Sequence, residues 1–271
     1  MATIFPDGLR LSAHLGYLFT ELPLEARFEA ARDAGFVAVE HPAPYALPAD
    51  HAARLLADSG LPYVQFGLPS GDASRGEKGI AIHAGRRSEF LDGLARALDY
   101  ADALGVSMLH VMAGIVPADL DRERAWGAYL EHLSLAAEAA GATGRTILVE
   151  AMSPGAVPGY LVATPADAER ALRACGAPNV KLLLDVFHTE SVGDDPAATL
   201  ERLSDKVAHV HIADLPGRHE PGTGRIDFQA VARALDGYGG HVGCEYVPAG
   251  RTGDGLAWMA AATRAGGLPD R

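Results

Sequence analysis

Residues 146–185 read TILVEAMSPGAVPGYLVATPADAERALRACGAPNVKLLLD. Two short apolar runs, Thr146–Glu150 and Val180–Asp185, each end on a carboxylate, as buried strands do when their last residue reaches a polar edge. Between them Pro165–Cys175 carries Ala, Leu, Glu and Arg at helical spacing. Thr164 before Pro165 suits a helix cap followed by proline at the first helical position, and Gly176 sits where the helix should stop. Strand, helix and strand in that order make a βαβ unit, whose two strands pair in parallel under a covering helix.

The same rhythm extends in both directions. Further strands are expected at Leu9–His14, Val37–His41, Tyr63–Leu68, Met108–Met112, Val207–Ile212 and His241–Glu245. Amphipathic helices are expected at Leu24–Ala34, Ala49–Ser59, Glu89–Leu104, Arg122–Ala140, Pro196–Leu203 and Phe228–Leu235, with Gly253–Ala265 as the last. Eight such units in a chain of 271 residues favour a closed (β/α)8 barrel, a TIM barrel, over an open doubly wound sheet. No Gly-x-Gly-x-x-Gly follows the first strand, so the main sign of a dinucleotide fold is missing. No linker or composition break divides the chain, and residues 1–271 are expected to form one catalytic domain. Two long irregular loops, 69–87 and 152–163, follow strands and therefore lie on the face where barrel enzymes keep their chemistry.

Apolar residues at 48% and charged residues at 21% exclude a disordered chain. A net charge of −12 argues against a nucleic-acid partner, since phosphate backbones select basic surfaces. A small anionic substrate remains compatible, because a metal and one or two cationic side chains reverse the field locally. Cys175 and Cys244 do not make a disulfide framework. With no basic-then-apolar leader and no apolar run of membrane-spanning length, the expectation is a cytoplasmic protein with no membrane partner; a homo-oligomer is compatible.

Four ligand-type residues end, or nearly end, four successive strands: Glu150, Asp185, His211 and Glu245. One acidic strand end alone is more often a helix cap or a surface charge. Four in consecutive units, at the same relative position, converge on one rim of a closed barrel. Burying them unpaired would cost several kcal/mol, about the penalty of an uncompensated polar group in an apolar medium. Three carboxylates and one imidazole suit one divalent ion of the hard-to-borderline kind, Mg²⁺ or Mn²⁺. His188 lies in Asp-Val-Phe-His just beyond Asp185, where the loop returns it to the site, although a loop histidine bonded to backbone is the plainer reading. His209 projects to the same side as His211, one layer deeper, where a supporting or core role is expected. Arg218 is the best cation for an anionic group, because a guanidinium grips a carboxylate bidentately; an exposed loop arginine is equally compatible. His14, Glu40 and His41 end early strands on the same rim as pocket-lining candidates, and Lys78 and Arg75 in the long third loop either reach over a substrate or are solvated.

At these residues the chain resembles the hydroxypyruvate isomerase family, within the wider xylose-isomerase-like barrels, over nearly its whole length. The segments that carry the resemblance are Pro69-Ser-Gly-Asp72, Arg75-Gly-Glu-Lys-Gly-Ile-Ala81, Val149-Glu150, Pro158-Gly159-Tyr160, Asp185-Val-Phe-His188, His211-Ile-Ala-Asp214, Glu220-Pro-Gly-Thr-Gly224 and Val242-Gly-Cys-Glu-Tyr246. The Glu-Pro-Gly-Thr-Gly and Gly-Cys-Glu-Tyr segments are the more diagnostic. The resemblance implies interconversion of hydroxypyruvate and tartronate semialdehyde, or of a related acid such as a 2-oxo-tetronate. It also implies a catalytic pair at Glu150 and Glu245, and metal ligands at Glu150, Asp185, His211 and Glu245. It departs at His211, where hydroxypyruvate isomerases carry glutamine and ketose 3-epimerases carry histidine. In those epimerases the equivalents of His188 and of an arginine near 218 contact substrate oxygens, which adds weight to both; with Glu40 and Lys78, read from their strand-end and loop positions, they are the substrate-binding candidates.

The implied chemistry moves a proton between adjacent carbons through an enediolate, one glutamate removing it and the other returning one. A ketose 3-epimerase or another sugar isomerase on the same metal site shares that chemistry without recognising a carboxylate. A metal-dependent phosphodiesterase or endonuclease would need a basic groove, which the net charge disfavours. A sugar-acid binding protein without turnover is the remaining alternative.

Overall fold

The computed structural model describes residue 5 and residues 9–261. Apolar runs bounded by turn residues form eight strands: β1 (Arg10–His14), β2 (Ala38–Glu40), β3 (Gln65–Gly67), β4 (Met108–His110), β5 (Thr146–Glu150), β6 (Val180–Asp185), β7 (Val207–Ile212) and β8 (His241–Cys244). Neighbours pair in parallel in the order β2-β1-β8-β7-β6-β5-β4-β3. A parallel bridge between Val39 and Tyr63 joins the two outer strands, so the sheet closes into the expected barrel. Closure removes both sheet edges and turns every strand's carboxyl end toward one mouth.

Among the described residues there are eight α-helices: α1 (Leu24–Asp33), α2 (Ala49–Ser59), α3 (Arg87–Leu104), α4 (Arg122–Gly141), α5 (Pro165–Cys175), α6 (Val186–Ser191), α7 (Pro196–Leu203) and α8 (Phe228–Ala234). Their buried stripes recur at helical spacing, as in Phe90, Leu94, Ala97 and Ala101 of α3 and Trp126, Tyr129, Leu133, Ala136 and Ala140 of α4. These pack against the outward faces of the strands. The inside of the barrel toward its mouth is instead polar, holding Ser12, His14, Glu40, Gln65, His209 and His211 with almost no exposure.

Three expectations are corrected. The strands β2, β3 and β4 are each three residues long, shorter than their apolar runs, because the flanking residues leave the ladder for the helices and the mouth. Helix α6 had no apolar period of its own; it starts directly on β6, with the Asp185 side chain accepting from the Phe187 and His188 amides as its cap. The last helix, expected at Gly253–Ala265, is a 3₁₀ segment over Thr252–Ala261, in keeping with the poor α-propensity of Gly253 and Gly255; residues 262–265 lie outside the described residues.

The start of α5 shows how such boundaries are set. Thr164 Oγ1 accepts from the Asp167 amide at 3.1 Å, and Asp167 Oδ2 accepts from the Ala163 amide at 3.0 Å. The two side chains satisfy backbone donors that the helix itself leaves open. Thr164→Ala is expected to lower unfolding free energy by about 1 kcal/mol in urea titrations; an unchanged midpoint would contradict this account of the cap.

Candidate active site

Parallel pairing decides which strand ends meet. Asp185 of β6 stands opposite His211 of β7, and His211 opposite Gly243 of β8. Glu150 closes β5 beside Leu183, and Glu245 follows β8 with its amide donating to the Ile212 carbonyl. Glu150, Asp185, His211 and Glu245 each offer one ligand atom, all within 4.8 Å of one another, and all four side chains are buried. The convergence expected from the sequence is thus present as a cluster able to hold a metal ion.

The donor chemistry fits a divalent cation. Glu150 Oε1 and His211 Nδ1 are buried and have no hydrogen-bond partner. They lie 3.9 Å apart, and His211 Nδ1 is 3.6 Å from Glu245 Oε2. Groups that strong are rarely left orphaned in a protein interior unless a cation or solvent completes them.

Protein cations answer part of the charge. Arg218 NH2 donates to Asp185 Oδ2 at 3.0 Å and also contacts Glu245 Oε2, while its Nε donates to the Glu245 carbonyl at 3.3 Å. Its NH1 lies 3.2 Å from His188 Nε2, and the guanidinium stacks over Tyr17 and Phe187. Arg218 therefore stands at the site, with its donors aimed mainly at the carboxylates of the four-residue cluster. His188 is buried, held between Arg218 and the Ser153 hydroxyl 3.0 Å from Nδ1.

The two glutamates differ electrostatically. Burial, and then the charge of Glu245, push the Glu150 carboxyl well above its ordinary range. Burial acts in the same sense on Glu245, but Arg218, His211 and His14 outweigh it and hold that carboxyl well below. Two carboxyls driven apart in this way favour opposite protonation states.

A cavity of about 300 Å³ opens above these groups. Its wall includes the expected Glu150, His188, His211, Arg218, Glu245, His14 and Lys78. Lys78 and Arg218 are the two permanent cations of that wall, and Lys78 has no hydrogen bond or ion pair among the described residues. Its backbone is fixed by Gly79, at φ +108°, where a Cβ would meet the Met112 carbonyl oxygen at 2.3 Å. Arg75 faces a neighbouring cavity, with Lys78 shared between the two. Glu40 is placed differently from its expectation as a substrate contact. It is fully buried below the floor, absent from the cavity wall, and bonded to Ser12, Gln65, His209 and His211. Its strand is short and its side chain turns inward, one layer beneath the mouth.

Sequence reasoning missed His110, Tyr17 and Gln65, all in the cavity wall. His110 ends β4 and lies 3.8 Å from Glu150 Oε2; burial lowers its pKa to about 3, so it is a neutral imidazole. The strand-end rule that picked Glu150 would have found it had the fourth strand been drawn to its true end. Tyr17 sits in a loop, and no local pattern announces it.

The Glu220–Gly224 segment has a defined role. Asp214, fully buried, accepts from the amides of Leu215, Gly222, Gly224 and Ile226 at 2.8–3.1 Å. A Cβ on Gly224 would meet the Leu215 carbonyl oxygen at 2.3 Å, so the loop closes this tightly only with glycine there. Arg218 lies inside that loop with φ +55°, a left-handed backbone that non-glycine residues adopt only when their surroundings impose it. The Val247 amide, donating to the Arg218 carbonyl at 2.7 Å, ties the loop to the segment after β8.

Comparison with known proteins agrees with this architecture. A family model described as xylose isomerase-like TIM barrel matches residues 28–262. A protein of Cupriavidus necator named 2-oxo-tetronate isomerase is 38% identical over 252 residues, covering 92% of this chain and 97% of that one. One of Escherichia coli named hydroxypyruvate isomerase is 36% identical over 253 residues, covering 93% and 98%. A crystal structure from Brucella melitensis described as AP endonuclease, family 2, superposes with a TM-score of 0.90 at 38% identity, covering 93% and 98%.

Asp214→Asn replaces an oxygen that faces two amides with an NH2 group. It is expected to cost about 2–5 kcal/mol of unfolding free energy, the scale of unsatisfied buried donors. Amide exchange at Gly222, Gly224 and Ile226 should accelerate selectively; unchanged exchange there would refute the cradle.

Proposed function

This chain belongs to the xylose isomerase-like TIM barrel family, among the hydroxypyruvate and 2-oxo-tetronate isomerases, and on that premise we propose that it isomerises a small hydroxy-keto acid. Hydroxypyruvate, or a 2-oxo-tetronate, is the substrate class. The observation that carries the reading is that Glu150 and Glu245 both line one small cavity, beside a cluster of potential ligand atoms and with Lys78 in the same wall. The whole chain, 1–271, acts as one catalytic unit in this proposal.

Moving a carbonyl between neighbouring carbons requires removing a proton from one and delivering a proton to the other. Two carboxyls in the same cavity supply base and acid, and exchange roles when the reaction runs backward. When bound, one divalent ion, Mg²⁺ or Mn²⁺, supplies positive charge beside the substrate oxygens whose charge changes during the transfer. Glu150, Asp185, His211 and Glu245 are the residues that would hold it. Arg218 keeps Asp185 and Glu245 in place and, with His188, borders the substrate oxygens. Lys78 faces the cavity from the opposite loop and is the group best placed to take the substrate's carboxylate. The cavity of about 300 Å³ suits a compact acid, being at the small end of ligand pockets. A nucleic-acid substrate fits poorly with a chain of net charge −12. Among the described residues no helix is long and apolar enough to cross a membrane, and both cysteines are free thiols, as in a cytoplasmic enzyme.

Assayed on hydroxypyruvate and short 2-oxo acids with Mn²⁺, Glu150→Gln and Glu245→Gln are each expected to lower kcat by about 10²–10⁴-fold, the range of a lost general acid or base. Near wild-type turnover in either variant would refute the paired-glutamate mechanism. Lys78→Met is expected to raise KM for the acids about tenfold, roughly 1.4 kcal/mol, with little effect on neutral ketoses. Faster turnover of neutral ketoses than of the acids by the wild type would identify a sugar isomerase or epimerase instead.

A further inference from the structure

Beneath the cavity lies a carboxylate that no step of the reaction uses. Glu40 is fully buried, and each of its oxygens is engaged. Oε1 accepts from the Ser12 hydroxyl at 3.0 Å; Oε2 meets Gln65 Nε2 at 3.0 Å, His209 Nε2 at 2.8 Å and His211 Nε2 at 3.2 Å. Four strands contribute side chains to this one knot, β1, β2, β3 and, twice, β7, and β8 makes room for it. Gly243 of β8 is opposite both Ser12 and His211 in register, and a Cβ there would meet Glu40 Oε1 at 2.0 Å and His211 Cδ2 at 2.6 Å. The barrel wall leaves the space of one side chain for this carboxylate.

An ionised carboxylate only accepts hydrogen bonds. Both histidines must therefore present Nε2–H to it. In a neutral imidazole this leaves the lone pair of His211 on Nδ1, the atom without a hydrogen-bond partner that faces Glu150 and Glu245. A histidine in this position can bind a metal only if that atom is unprotonated and correctly turned, and a carboxylate on the opposite nitrogen is how such a choice is made.

We propose that Glu40 is a positioning residue for the metal site: it fixes His211 as the Nε2–H tautomer, with Nδ1 aimed at the ion, and Gly243 is required for it to do so. The inference rests on the metal reading of the four-residue cluster. His209 shares the carboxylate but lies farther from the cluster, so the effect passes through His211.

Mn²⁺ binding measured by calorimetry and electron paramagnetic resonance tests this on the full chain. The wild type is expected to bind one Mn²⁺, and Glu40→Gln to weaken that binding about 10- to 100-fold, the usual effect of losing a ligand's supporting carboxylate. His209→Gln, which keeps an N–H toward Glu40, is expected to stay within about threefold of wild type. Equal Mn²⁺ affinity in the wild type and Glu40→Gln, or equal losses in Glu40→Gln and His209→Gln, would overturn the proposal and leave Glu40 a packing element. A wild type that binds no Mn²⁺ would overturn the metal reading itself. A spectroscopic test needs no variant: with ¹¹³Cd²⁺ bound to ¹⁵N-histidine-labelled wild type, cadmium coupling is expected to Nδ1 of His211, and coupling to Nε2 would refute the assignment.

Discussion

Four carboxyl groups, Glu150, Asp185 and Glu245 at the mouth of one barrel and Glu40 one layer beneath it, are buried together, and compensating their charge governs what surrounds them. Taking such groups out of water costs several kcal/mol each unless cations or strong donors replace the solvent. Each is met in its own way. Glu40 gathers four donors, Asp185 caps α6 and accepts from Arg218, and Glu245 lies against Arg218 with His14 3.1 Å away. Glu150 Oε1 is fully buried with no hydrogen-bond partner among the described residues, and it lies 3.9 Å from His211 Nδ1. Two unpartnered atoms, one on a carboxylate and one on an imidazole, thus face each other inside the four-residue cluster, as the ligands of an ion would.

The scaffold serves that point at some distance from it. The bridge between Val39 and Tyr63 completes the barrel, inside which Glu40 of β2 reaches His209 and His211 of β7, while β5 and β8 share a rim through the intervening β6 and β7. The Asp214 cradle fixes the loop that carries Arg218, and the tie from Val247 joins that loop to the segment following Glu245. Gly79 and Gly243 act by allowing close approach, one placing Lys78 at the cavity and the other admitting Glu40 behind His211. Fold and site are therefore coupled through a few backbone positions rather than through the apolar core between strands and helices.

The eight strands and seven of the eight expected helices were legible because apolar period and turn residues are local signals, and the limits of β5, β6, β7, α2, α5 and α7 agree with the expected ones. The convergence of Glu150, Asp185, His211 and Glu245 was legible for a related reason: a carboxylate or imidazole at the end of an apolar run is conspicuous, and parallel topology does the rest. What escaped depends on depth and on non-local packing. Glu40 looked like the other strand-end acids, and only the inward turn of a three-residue strand distinguishes it from a rim residue. Tyr17 and Gln65 reach the cavity by way of the closed barrel, and α6 is too short to show a period. The role of Glu220–Gly224 as the wrapping of a buried aspartate was likewise invisible in its composition, which resembles any glycine-rich turn.

The central claim is that Glu150 and Glu245 exchange protons with adjacent carbons of one substrate held in the cavity above them. Proton NMR of hydroxypyruvate in D₂O, with enzyme and Mg²⁺, observes that event directly, even where equilibrium conceals net conversion. The account predicts enzyme-dependent loss of the carbon-bound proton signal as deuterium enters, at a rate tied to isomerisation. Conversion of the acid without deuterium entering, or persistence of the signal with hydroxypyruvate and with every short 2-oxo acid offered, would contradict it.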